Sequence, residues 1–451
     1  MSLIRDIPAP EAYVVIGHER YNSAYAVSEL ANASFAAVGQ ELAALIQAMG
    51  LSQEVLPVCV DQRLASLWFG YSFAPQGWEL PSLWDPIAGN YACRDGWIRL
   101  HTNLPHHRAA ALKVLGCAAS PDAVRVAVRD WDSGTLETEI VDQDGVAAAM
   151  RSRADWMQHP QGQALAAEPL IHWDQKRPVA LRPNHQATQA RPLQGLRVLD
   201  LTRVLAGPVA TRTLAGFGAD VLRIDPPGWD EPGVIQDISL GKSMTFLDLQ
   251  TAEGRARFEA LLAQADVLVH GYRPGALDGL GYDLATRDRL APNRVEVSLN
   301  AYGWTGPWSG RRGFDSLVQM SAGIADTGRI WAKADKPTPL PVQALDHATG
   351  YLMAAAVLSA LRQALTTGET QNASLSLART ANLLAEISRS ESGSPLQEKL
   401  PQDYDRRREN SDWGPALRLK SALSIGSTYM HWNAPARACG TSEAYWPRPR
   451  N

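Results

Sequence analysis

The sequence predicts an α/β fold: a parallel sheet with helices on both faces, preceded by a smaller α+β unit. Three observations carry this. Short apolar runs alternate with helical segments from residue 196 to residue 303, the pattern of strand–helix units feeding one sheet. The stretch QKRPVALRPNHQATQARP (175–192) has no apolar period and reads as a linker between halves of different character. The chain has 451 residues, more than one hydrophobic core usually organises. The expected division is 1–174, the linker at 175–192, a large domain at 193–390 and a tail at 391–451.

In the first half, SELANASFAAVGQELAALIQAMG (28–50) reads as a helix and PHHRAAALKVLG (105–116) as another. Between them Trp, Gly and Pro are frequent, and Asp95-Gly96 between YAC and WIRLH is a hairpin signal. In the second half LRVLDL (196–201) is a short apolar run, hence a buried strand. GPVATRTLAGFG (207–218) is a helix of small residues stopped by Gly218. ADVLRID (219–225) and SMTFLDL (243–249) are the next strands. TAEGRARFEALLAQA (251–265) is an amphipathic helix with Thr251 as N-cap and Glu253 in its first turn. DVLVHGY (266–272) and RVEVSLNAYG (294–303) add two strands. Ligands of such sheets sit at the carboxyl ends of the strands. Here those are the turns Thr202–Pro208, Asp225–Gly228, Gly271–Gly275 and Asn300–Gly306. Residues 41–67 also echo residues 357–383, each reading as helix, turn, alternating strand and helix start.

Composition removes several classes. The net charge is −4 with both signs mixed, which gives no electrostatic footprint for nucleic acid. Cys59, Cys93, Cys117 and Cys439 are far apart and form no CxxC pair, so a reducing cytoplasm is the expected compartment. The start, MSLIRDIPAPEAYVV, lacks a basic stretch followed by an apolar core, so no secretion signal is expected. The longest apolar helix, about 351–361, is expected to be too short for a bilayer, which needs roughly 20 residues. His106 and His107 are adjacent rather than at ligand spacing, and no metal is expected. The first turn, TRVLAGP, is not G-x-G-x-x-G, so a nicotinamide dehydrogenase lacks its pyrophosphate cradle.

Asp346 is the most informative residue. It lies in VQALDHATGYLMAAAVLSAL (342–361), just ahead of a nearly charge-free helix. Burial there disfavours its charge, so something compensates for the carboxylate or uses it. The segment alone leaves both open, the first as an N-cap for a helix beginning near His347.

Four segments of the second half resemble the class III CoA-transferases, the family of formyl-CoA:oxalate and carnitine CoA-transferases. They are residues 193–227, 247–283, 294–328 and the Asp346 segment. Residues 84–168 resemble that family's small domain, which in typical members follows the large one, and 413–446 resemble its closing strand and tail. The order of parts is atypical. The resemblance implies a Rossmann-like large domain, a tail returning to the core, and a homodimer whose chains interlock. It implies CoA as substrate rather than a resident cofactor, acyl-CoA and small carboxylic acids as partners, and neither nucleic acid nor membrane. Asp346 matches the catalytic aspartate. Arg203, Val204, Leu205 and Ala206 match the turn around the adenine and pantetheine arm, with Asp225 and Pro226 after the second strand. Gly271, Tyr272 and Arg273 match a nucleotide-holding turn, and Tyr302 a CoA-contacting tyrosine. Arg223, Lys242 and Arg273 are phosphate candidates. The implied activity is CoA transfer between carboxylic acids through a covalent aspartyl intermediate. The alternatives are a non-catalytic acyl-CoA binder and an α-methylacyl-CoA racemase. The racemases carry GHD where this chain has Gly313-Phe314-Asp315, and Phe314 cannot move a proton.

Overall fold

The computed structural model describes residues 3–181, 186–390 and 392–446. The first half opens with α1 (Val27–Ala48), β1 (Val58–Asp61) and α2 (Gln62–Trp68). Asp61 ends the strand and caps α2, its carboxylate accepting from the Leu64 N–H at 2.9 Å. An antiparallel sheet follows, made of β2 (Gly89–Ala92), β3 (Trp97–Leu100) and β4 (Ala147–Ala149). β2 pairs with β3 from Ala92↔Trp97 outward, with Asp95-Gly96 at the turn. After β3 comes α3 (Pro105–Leu115), with proline in its first turn and Gly116 left-handed at its end. Ile87, Ile98, Leu100, Ala111, Leu136 and Ile140 close a separate small core here.

A seven-stranded sheet dominates the second half. Its strands begin with β5 (His172–Trp173) and β6 (Arg197–Leu201), then α4 (Ala206–Gly216), β7 (Asp220–Asp225) and β8 (Lys242–Phe246). α5 (Ala252–Leu262), β9 (Val267–His270), β10 (Val295–Asn300), α6 (Asp315–Ser321), α7 (Ala344–Thr367), β11 (Ala373–Ser376) and α8 (Leu377–Glu386) follow. Thr251 caps α5 through the Gly254 N–H at 3.1 Å. The strand order is β8-β7-β6-β9-β10-β11-β5. All neighbours run parallel except β5, which opposes β11. From β6 the chain moves to one side through β7 and β8, then resumes on the other side at β9. That reversal opens a crevice at the carboxyl ends of β6 and β9, where open α/β sheets place their ligands.

Several expectations change. Asp346 is not an N-cap. Gln343 takes that position and α7 starts at Ala344, so Asp346 sits inside the first turn. α7 runs for 24 residues, long and apolar enough by length and composition to cross a membrane, and the membrane-length window is wholly buried inside the protein. The segment read as a linker is engaged, since Arg177–Pro178 pairs antiparallel with Glu369–Thr370; residues 182–185 of it lie outside the described residues. Nor is the first half one unit, because residues 27–68 share a single core with the second half. α1 packs on α7, with Phe35 against Tyr351 at a ring separation of 4.0 Å. The echo between 41–67 and 357–383 is structural: α1–β1–α2 and α7–β11–α8 repeat the same order of elements. The tail joins both halves. Leu423–Ile425 pairs with β1, and the Trp446 indole donates to the Leu261 carbonyl at 3.1 Å.

Candidate active site

The site is set by three pieces of backbone: the turn after β6, the turn after β9, and the first turn of α7. Beneath the first turn lies a buried ion pair. Lys242 on β8 donates to Asp200 on β6 at 3.0 Å and to the Pro208 carbonyl at 3.0 Å. Asp200 also accepts from the Thr202 N–H and from the Thr202 and Thr211 hydroxyls. Burial pushes the Lys242 ammonium down to about 8. A second pair fixes the turn from its other side. Arg223 bridges Asp225 at 2.9 Å and Glu231 at 2.7 Å, and Glu231 accepts the Val204 N–H at 2.7 Å. Val204 has φ 67°, a left-handed conformation that a β-branched residue avoids unless its surroundings impose it. Here Glu231 imposes it. Gly207 is required behind it, since a Cβ there would sit 2.3 Å from the Thr202 side chain.

These pairs correct the phosphate assignments. Arg223 and Lys242 are buried and ion-paired in the interior, and neither lines the groove. Asp225 is 1% exposed and turned toward Arg223, and neither Asp225 nor Pro226 lines the groove. Tyr302 is also interior. Its hydroxyl meets Ser321 Oγ at 3.1 Å and its ring packs edge-on to Trp308. The remaining expected residues do gather. Arg203, Val204, Leu205, Ala206, Gly271, Tyr272 and Arg273 line one groove of about 420 Å3, and Asp346 stands at its inner end.

The groove is cationic in a way the sequence reading did not anticipate. Arg311 and Arg312 line it together with Arg203 and Arg273. Arg311 stacks 3.9 Å over Trp308 and pairs with Glu137, while Arg312 pairs with Asp144. Arg203 lies 4.2 Å over the Trp229 ring and 5.7 Å from the Tyr272 ring. Arg273 is exposed and makes no ion pair among the described residues. His107 also lines the groove, buried, with neither ring nitrogen hydrogen-bonded. The signal for the arginines was the run GRRGFD; nothing in the sequence singled out Trp229.

Asp346 is 8% exposed. Burial holds its carboxyl well above the usual carboxylate range, and the nearby Asp315 charge adds to this. The helix N-terminus favours the anion, but desolvation is the larger effect. Asp315 is tied to the same turn: it accepts the Asp346 N–H at 2.9 Å and the Gln319 amide at 2.5 Å. Burial raises Asp315 to about 6, against the lowering effect of these bonds. The two carboxyls therefore titrate as a pair. His347 lines neither the groove nor the cavity that Asp346 lines. It stacks on Phe69 at 5.4 Å, and burial lowers it to about 3, so it stays neutral.

Asp346 also opens onto a second cavity of about 250 Å3, lined by Trp84, His101, Val204, Phe314 and Gln343. Leu83, Trp84, Leu205, Val234 and Gln343 line both this cavity and a third, of about 430 Å3, which His347, Phe69, Tyr71 and Arg99 help to enclose. A carboxylate thus stands where a cation-lined groove meets a largely apolar interior space. Among the described residues no group of three or more His, Cys, Asp or Glu could hold a metal ion.

Residues 193–410 match the profile of CoA-transferase family III. The chain is similar to the probable fatty acyl-CoA transferase Rv3272 of Mycobacterium tuberculosis, with 30% identity over 54% of this chain and 67% of that protein. It is also similar to the succinyl-CoA:glutarate CoA-transferase of Mus musculus, with 33% identity over 42% of this chain and 46% of that one. The formyl-CoA:oxalate CoA-transferase of Escherichia coli shows 32% identity over 41% of this chain and 47% of its own length. The chain spans about half the length of most of these curated relatives. The crystal structure of Rv3272 aligns over 44% of this chain and 56% of that one, with 32% identity and a TM-score of 0.41.

Proposed function

This chain belongs to CoA-transferase family III, and from that premise we propose that it is an acyl-CoA transferase moving CoA between carboxylic acids, with Asp346 as covalent nucleophile. One observation carries the reading: Asp346 is the carboxylate at the junction of the arginine-lined groove and the interior cavities. The groove suits a long anionic nucleotide arm, with Arg273 free to pair with phosphate. The interior suits an acyl chain.

In the first step an Asp346 carboxylate oxygen attacks the thioester carbonyl. The C–S bond breaks and CoA leaves as thiolate, giving a mixed anhydride. The thiolate then attacks the aspartyl carbonyl, the donor acid leaves as carboxylate, and Asp346 carries CoA as a thioester. The acceptor carboxylate attacks this thioester and expels the thiolate, forming a second anhydride. Attack of the thiolate on the acceptor's acyl carbon gives the new acyl-CoA and restores Asp346. Partial desolvation makes a weak nucleophile competent, and covalent catalysis divides one hard transfer into easier steps. We further propose a cytoplasmic homodimer as the working form. The apolar edge strand Val14–Ile16, exposed at 57%, 39% and 49%, is a surface a second copy could cover. Asp346→Asn keeps the size and removes the nucleophile; turnover with a confirmed acyl-CoA and acid should fall by about 10³-fold or more. Full turnover in this variant rules the mechanism out.

One observation favours a second reading, epimerisation at the carbon next to the thioester. The first half brings His101 beside Phe314, ring to ring at 3.9 Å, on the same cavity wall as Asp346. Burial keeps this imidazole neutral, so the chain does own a second proton carrier there. Incorporation of deuterium from solvent at the α-carbon of a chiral 2-methylacyl-CoA, lost in His101→Phe, would establish it.

A further inference from the structure

The two interior cavities share one wall, and Asp346 belongs to only one of them. Leu83, Trp84, Leu205, Val234 and Gln343 line both the cavity of about 250 Å3 and the one of about 430 Å3. Asp346 lines the smaller and not the larger. The smaller cavity also shares Leu104, Val204, Phe314 and Asp346 with the groove. A chain running inward from a thioester at Asp346 therefore fills the smaller cavity first and meets the shared wall next. Beyond that wall the larger cavity offers apolar surface from Phe69, Met320, Leu340 and Val342.

Trp84 is the one aromatic side chain of the five in the wall, and it is held in place. The Arg99 guanidinium lies 4.6 Å over its ring, and the His101 imidazole meets it edge-on at 5.5 Å. Its loop is tied down as well. Ser82 Oγ donates to the Trp84 carbonyl at 2.9 Å. Asn103, just after β3, donates to the Leu83 carbonyl at 2.9 Å and accepts the Asp85 N–H at 3.0 Å. On its other side the loop meets Gly233 backbone to backbone, since a Cβ there would lie 2.9 Å from Leu83 Cα. A side chain fixed by this many contacts does not move aside cheaply for a longer occupant.

Resting on the reading of Asp346 as acyl acceptor, we propose that Trp84 is a specificity-determining residue, a fixed partition that limits the length of the acyl chain seated at Asp346. Short straight chains end within the smaller cavity. Longer ones run into the indole. Removing the indole joins the two cavities, so chain length is decided at Trp84 and not at the reacting carboxylate. A single methylene in a fitted apolar pocket changes discrimination by about 10- to 200-fold, so a chain several methylenes too long is strongly rejected.

The test uses full-length protein with butanoyl-CoA and decanoyl-CoA. Hydroxylamine traps the acyl-enzyme, and labelling of the Asp346 peptide is followed by mass spectrometry. The unaltered protein is expected to label roughly tenfold or more faster with butanoyl-CoA. That ratio falls toward parity or reverses in Trp84→Ala. Trp84→Phe, which keeps a smaller ring, gives an intermediate ratio and carries the test if Trp84→Ala does not fold. Equal labelling of the unaltered protein, or a ratio unchanged in both variants, overturns the proposal. Calorimetric binding of the two acyl-CoAs to Asp346→Asn, with and without Trp84→Ala, keeps it separable from the reading of Asp346. If neither acyl-CoA labels the unaltered protein, that reading fails. A decanoyl-to-butanoyl affinity ratio that rises in the double variant would still support the partition, and an unchanged ratio or no binding would remove it.

Discussion

At Asp346 the chemistry and the stability of the protein oppose each other. Its carboxyl is held above its ordinary value, 3.8, by burial first and by Asp315 second. A folded-state pKa above the unfolded one means that the folded protein holds the proton more tightly. The associated stability is fully present below pH 3.8 and is lost as pH rises through the folded value. Asp346→Asn should therefore be more stable than the unaltered protein at pH 8, by about 1–2 kcal/mol, with the difference vanishing near pH 3.5. Thermal unfolding across that range checks this; a constant difference would mean that the carboxyl is not desolvated. Asp315→Asn removes the neighbouring charge while leaving an oxygen to accept the Asp346 N–H. The acid limb of the pH–rate profile should then move to lower pH, and a limb that stays in place would remove Asp315 from the account.

Among the elements, α7 matters most, because it carries Asp346 and packs directly on the turn that lines the groove. Gly350 makes this contact possible: a Cβ there would lie 2.4 Å from the Ala206 carbonyl oxygen and 2.8 Å from Val209 Cβ. Gly350→Ala should cost about 1–3 kcal/mol and raise the KM for acyl-CoA, read from chemical denaturation and steady-state kinetics. An unchanged KM would uncouple the turn from the helix. The element scale also shows what the sequence discloses. The strands from β6 to β10 were legible because each is a short apolar run between turn residues, and Thr251 announced α5. The start of α7 was not, because Asp, His, Thr and Gly crowd its first turn and read as a cap. Its length was hidden by Arg362 and Gln363, which are interior; Arg362 is matched by Glu41 on α1. Asp225 ends β7 and Tyr302 follows β10, and both side chains turn to internal partners. A strand-end position does not say whether a side chain meets a ligand or an internal partner, and Arg223 claims Asp225.

The whole molecule is organised by the contact between α1 and α7. Two copies of a helix–strand–helix unit face each other within one chain, and the side chains at their crossing, Phe35 and Tyr351, belong to a single core. The first copy carries Leu30 near the start of α1, and its apolar burial leaves no chemistry there; the second carries Asp346. Phe35→Ala should cost about 3–5 kcal/mol and lower the melting temperature of the whole core together. Separate melting of residues 27–68 would show that the first copy is an appendage. The central claim concerns Asp346, and the most direct measurement is to incubate the protein with a panel of mono- and dicarboxyl-CoA thioesters and hydroxylamine, then map the modified peptide by mass spectrometry. The account predicts a hydroxamate on Asp346, absent in Asp346→Asn. An unmodified Asp346 across the panel, in protein that demonstrably binds CoA, would contradict it.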